Sequence, residues 1–119
     1  MNQRIEATLL LKAIDHTGVG VVLTNPRLQD NPIIYVNKGF EELTGYLADD
    51  IIGHNCRFLQ GEQTKQEDVQ IIRNAIREQR PCELEILNYK KNGETYWNEL
   101  HLTPLFDEYG ELEYFIGIQ

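Results

Sequence analysis

The feature that most constrains this chain is a pair of alternating runs, Cys82 to Tyr89 and Thr95 to Pro104, divided by Asn92-Gly93. Asn-Gly between two such runs signals a hairpin, because both residues tolerate the left-handed backbone of a tight reversal. In the first run Cys82, Leu84, Ile86 and Asn88 share one face, while Glu83 and Glu85 take the other. In the second, Asn98, Leu100 and Leu102 share a face, and Glu99 and His101 oppose them. The two apolar rows lie on the same side of a sheet only if the loop around Gly93 has an odd number of residues, and pairing centred there sets Asn88 opposite Asn98. Each inward row then carries one asparagine. Buried carboxamides are costly if unpaired, and two arrangements satisfy them: bonds to each other or to water, or bonds to the polar edge of a planar heterocycle.

Further extended segments flank this hairpin. Gly20 to Thr24 and Ile33 to Val36 are β-branched runs separated by Pro26, Asp30, Asn31 and Pro32. Tyr114 to Gln119 forms a last strand with Phe115, Gly117 and Gln119 on one face, where a glycine leaves space for a ligand or for another backbone. Between the two groups, residues 38 to 78 read as short helices broken at Gly45, Gly53 and Gly61, the longest running from Lys65 to Glu78. Two strands, several helices and three strands make an α+β domain, a five-stranded antiparallel sheet with short helices covering one face. Leu9, Leu10, Ala13 and Ile14 have helical spacing ahead of it, so residues 1–16 are expected to form an N-terminal cap helix and residues 17–119 the core.

The length of 119 residues suits one domain, and 41% hydrophobic with 25% charged residues suits a folded one. A net charge of -8, with no local Lys/Arg cluster, makes nucleic acid a poor partner, so an anionic ligand must meet individually placed arginines. On the long helix Val69, Ile72, Arg73 and Ile76 fall within an arc of about 100°. Arg73 there is read either as snorkelling to solvent or as meeting an anion. Cys56 and Gln60 are neighbours on one helical turn, with Arg57 between them. Cys56 and Cys82 form no CxxC and follow no secretory signal, which points to a reducing cytosol. No apolar run approaches the roughly 20 residues of a membrane span. His16, His54 and His101 lack the paired spacing of a zinc or haem site, so no metal is expected.

The string Gly53-His54-Asn55-Cys56-Arg57-Phe58-Leu59-Gln60-Gly61 resembles the signature of LOV domains, the flavin-binding branch of the PAS superfamily. The resemblance extends over Asn31 to Asn37, Leu43 to Tyr46, Asn88 to Gly93, Tyr96-Trp97-Asn98 and Tyr114 to Gln119. It implies a blue-light photoreceptor that holds FMN noncovalently in the dark and, on illumination, bonds the sulfur of Cys56 reversibly to flavin carbon 4a. By the same resemblance Asn88, Asn98 and Gln60 would bond the pyrimidine part of the ring, Arg57 and Arg73 the phosphate, and Asn55 the ring and ribityl region. Val22, Thr24, Asn31, Leu59, Val69, Ile72, Ile76, Leu100, Leu102, Phe115 and Gly117 complete the implied pocket, and Gln119 would reach ring nitrogen five. His54, Leu100 and Gly20 depart from residues common in relatives, which bears on adduct lifetime more than on ligand identity.

A sensor of this kind needs no turnover, so it is not expected to be an enzyme. The competing expectations are a PAS-type ligand-sensing module that makes no photochemical use of Cys56, a thiol enzyme, and a purely structural interaction domain. A homodimer could form through Leu9, Leu10, Leu11 and Ile14 of the cap helix or through the sheet, unless those leucines cover the domain's own sheet. No output module follows Gln119 in this sequence.

Overall fold

A computed structural model describes residues 3–119, with the side chains of residues 3–8 and of Leu11 outside the described set. The chain runs through helix α1 (Gln3–Thr17), strands β1 (Val21–Thr24) and β2 (Ile33–Val36), and helices α2 (Lys38–Thr44) and α3 (Ala48–Ile51). A 3₁₀ turn (Cys56–Leu59), helix α4 (Gln66–Glu78) and strands β3 (Cys82–Tyr89), β4 (Thr95–Phe106) and β5 (Leu112–Ile118) follow. The five strands form one sheet in the order β2-β1-β5-β4-β3. Every neighbouring pair is antiparallel, so the architecture is the α+β arrangement expected from the element order.

The hairpin register corrects one expectation. Asn88 faces Tyr96 and Asn98 faces Ile86, so the two asparagines are diagonal rather than opposite. Strand pairing closes at Tyr89 and Thr95, and the five-residue loop between them is centred on Asn92. The Lys90 N–H donates to the Glu94 carbonyl at 2.8 Å, and the Asn92 side chain accepts from the Glu94 N–H at 2.9 Å. The left-handed residue is Gly93, at φ 89°. The loop length is still odd, so both asparagines keep the inward face, and the Asn98 Nδ2 reaches the Asn88 Oδ1 at 2.9 Å along the diagonal.

One buried side chain ties the sheet to the helices. Asn37 caps α2 by accepting from the Phe40 N–H at 2.9 Å, accepts from the Val21 N–H at 2.8 Å, and donates to the Val19 carbonyl at 2.9 Å. Gly39 is required beside it, because a Cβ there would lie 2.2 Å from the Val19 carbonyl oxygen. Val22, Ile33 and Val36 of the sheet then pack with Phe40, Ile51 and Leu59 from the helical segment, which fixes the helices over one face. The opposite face leaves Trp97 and Ile118 exposed.

Helix α1 extends beyond the expected span at its C-terminal end and packs against α2. Leu9 and Leu10 are exposed and Ile14 is half-buried, while the expectation for the Leu11 side chain lies outside the described residues. No helix among the described residues is long and apolar enough to cross a membrane.

Candidate functional site

Between the inward face of the sheet and the helical segment lies a cavity that opens at one side. Strand parity places Asn88 with Ile86, Asn98 with Leu100 and Leu102, and Phe115 with Gly117 and Gln119 on its walls. Val22 and Thr24 enter from β1, Asn31 from the loop before β2, and Ile72 and Ile76 from α4. Asn55, Cys56, Arg57, Leu59 and Gln60 close it from the 3₁₀ turn. A Cβ on Gly117 would stand 2.9 Å from the Val22 Cγ1, so this wall of the cavity has no room for a larger residue as built.

The turn that carries Cys56 is held at both ends. Asn55 accepts from the Arg57 N–H at 2.9 Å and donates through Nδ2 to the Asp30 carbonyl at 2.7 Å. Beyond Gln60, the Thr64 hydroxyl donates to the Leu87 carbonyl at 2.7 Å and accepts from the Gly61 N–H at 3.0 Å. The Tyr89 ring lies against Gly61 so closely that a Cβ there would meet it at 2.4 Å. These contacts seat the thiol-bearing turn on β3. Burial pushes the Cys56 thiol up to about 12, so it is protonated at neutral pH.

Four buried polar atoms on the walls, Thr24 Oγ1, Asn31 Oδ1, Asn98 Oδ1 and Gln119 Oε1, have no hydrogen-bond partner among the described residues. Buried polar atoms are ordinarily satisfied, so their convergence on one cavity marks acceptors and one hydroxyl available to a ligand. Of the two arrangements anticipated for the asparagine pair, the structure has the first, with Asn98 donating to Asn88, and it leaves the Asn98 oxygen without a partner. The surrounding wall is apolar, and its scattered polar groups suit the edge of a planar heterocycle such as a flavin ring.

Two expected residues stand apart from the wall. Val69 is buried but is not among the residues that line the cavity, and Arg73 is exposed outside it. For Arg73 the reason is rotational: Ile72 and Arg73 sit at opposite edges of the helical arc, about 100° apart, and the cavity lies on the Ile72 and Ile76 side. Asn55 lines the cavity with both ends of its amide engaged by backbone. Arg57 also lines it, with its guanidinium paired to Asp30.

Ile86 is a wall residue that the pocket expectation omitted, although its position in the inward row before Asn88 was the signal for it. Tyr96, in the same row as Asn98, has a buried hydroxyl without a partner. Its phenol is pushed up to about 12 by burial and by the neighbouring Cys56. Among the residues that depart from the common pattern, Leu100 lines the cavity, and His54 is exposed with its carbonyl accepting from the Ile33 N–H at 2.8 Å. Gly20 is crowded by the Phe40 backbone, 3.3 Å from where a Cβ would stand.

A sheet in this strand order, with a walled cavity beneath its helices, defines the PAS class, and residues 18–119 match the PAS domain family. The chain belongs to that family as a LOV domain. It is 50% identical over 114 residues to a blue-light-activated histidine kinase of Brucella anthropi, covering 96% of this chain and 23% of the kinase. It is 46% identical over 119 residues to phototropin-2 of Oryza sativa subsp. japonica, covering 100% of this chain and 13% of the phototropin. The dark structure of the blue-light photoreceptor Aureochrome1 LOV superposes with a TM-score of 0.82 at 37% identity, over 100% of this chain and 82% of that one. The chain thus spans less than a quarter of either curated relative.

Proposed function

We propose that this domain is a blue-light sensor that holds FMN noncovalently in the dark and, on illumination, forms a reversible bond from the Cys56 sulfur to flavin carbon 4a, the thiol proton passing to ring nitrogen five. The observation that carries the reading is the meeting of Cys56 with the unpartnered Asn98, Gln119, Thr24 and Asn31 atoms in one apolar-walled cavity. The similarity to blue-light-activated histidine kinase and phototropin-2 supports it. In this reading Asn88, Asn98 and Gln60 recognise the polar edge of the ring, and Arg57 receives the phosphate. Arg73 contributes to the phosphate only by turning from the exposed side of α4.

When bound, the flavin supplies light absorption and with it the activation that ordinary thiol addition lacks. The protein's part is to hold a protonated thiol at a fixed place, which makes the addition intramolecular. Gln119 carries an amide that donates or accepts, so a rotation answers a change of polarity beside it. Its backbone exchanges hydrogen bonds with Gly20, at 2.9 and 3.2 Å, which leads from the cavity to the junction between α1 and β1. The domain, divided as residues 1–16 and 17–119, works as a sensor and not as an enzyme, in a cytoplasmic setting, with its output on other protein segments. Exposed Leu9 and Leu10 on α1 offer a surface for a second copy, which light scattering would register as twice the chain mass.

Protein purified in darkness is expected to show a flavin absorption band that blue light removes and darkness restores. A chain that carries no flavin would return the reading to a PAS module for another ligand.

A further inference from the structure

At the mouth of the cavity, Arg57 is already engaged. Both of its terminal nitrogens donate to the carboxylate of Asp30, and the Asp30 carbonyl accepts from Asn55 at 2.7 Å. Asp30 and Asn31 are consecutive residues at positive φ, 66° and 46°, so the chain reverses there, with Asp30 bonded to the Cys56 turn and Asn31 on the cavity wall. With Arg73 exposed outside the wall, the cationic side chain that lines the cavity among the described residues is Arg57, and its donors are shared with an acid. A phosphate seated against Arg57 meets the negative charge of Asp30 and must share or displace it. A neutral ligand end meets no such opposition.

We infer that Asp30 is a specificity-determining residue: it attenuates the preference of this site for a phosphorylated flavin over an unphosphorylated one. The inference rests on the flavin reading above and goes beyond it, because it assigns the degree of discrimination to an acid rather than to the arginines. Both partners are about half exposed, at 52% and 58%, so the effect is screened by solvent and salt and is modest in size.

The test equilibrates the flavin-loaded protein in darkness with equal concentrations of FMN and riboflavin, then denatures it and counts each flavin released. Asp30→Asn removes the charge while keeping an acceptor for Arg57 and a residue type that tolerates the left-handed backbone. The ratio of bound FMN to riboflavin is expected to rise about fivefold over wild type, the scale of an exposed charge interaction, and to rise less at high salt. Arg57→Gln is expected to lower the ratio, and adding Asp30→Asn to it is expected to raise it again, because the acid repels a phosphate with or without Arg57 beside it. Loss of the latch to Asn55 alone would weaken both flavins together and leave the ratio unmoved. An unchanged or lower ratio in Asp30→Asn overturns the inference, the lower one meaning that Asp30 organises Arg57 for phosphate. Protein that retains neither flavin overturns the flavin reading itself, and this inference with it.

Discussion

Cys56→Ala is expected to bind flavin as the wild type does and to lose reversible bleaching of the flavin band completely. The substitution leaves the turn intact, because its cap runs from the Asn55 side chain to the Arg57 N–H and its far end is held by Thr64 and Tyr89. Nothing in the set of unpartnered wall atoms involves the sulfur. Binding and bond formation therefore separate at this residue. The comparison is a dark spectrum followed by a blue-light exposure and a dark recovery trace for each protein. A variant that still bleached and recovered through a sulfur bond would move the reactive thiol elsewhere, with Cys82 the other cysteine to consider.

The same site carries a pH expectation. Burial raises the Cys56 thiol from its ordinary value of 9.0 to about 12, so the folded state holds a proton that the unfolded chain releases between those values. The sign follows: the stabilisation is fully present below pH 9, and it is lost as pH rises towards 12. Alkylation of the dark protein should accordingly stay slow at pH 9, where an ordinary thiol reacts readily.

The second large effect is structural. Asn37→Leu is expected to cost about 3–5 kcal/mol, since it strands two N–H donors and a carbonyl in a buried place and removes a helix cap. Asn37 is 3% exposed, so water does not take over these bonds. The loss is a large share of a typical domain stability of about 5–15 kcal/mol. Urea unfolding should show a lower midpoint with an unchanged slope, the signature of lost stability without a change in the unfolded state. A shift below about 1 kcal/mol would mean that the surrounding backbone finds other partners.

Much of the site was legible because strand parity is insensitive to small errors. The loop of the β3–β4 hairpin is centred one residue away from the expected Gly93, which moves Asn88 from opposite Asn98 to opposite Tyr96. A displacement of pairing by two residues keeps every side chain on its face, so Asn88, Asn98, Leu100 and Leu102 reach the cavity anyway. Helical periodicity is less forgiving, because an arc has two edges. The spacing that grouped Arg73 with Ile72 held no information on which edge met the sheet. Asn37 stands where a helix cap is expected, but two of its three partners, Val19 and Val21, are far away in sequence, and no local pattern announces them.

The sequence by itself determined the strand order along the chain, the faces of the inward rows, and the stretch around Cys56 that identifies the family, because these depend on neighbours along the chain. Tertiary structure decided what the charges at the cavity mouth do. Only folding brings Asp30 onto Arg57 and leaves Arg73 in solvent, since the strength of a charge depends on what lies across space from it.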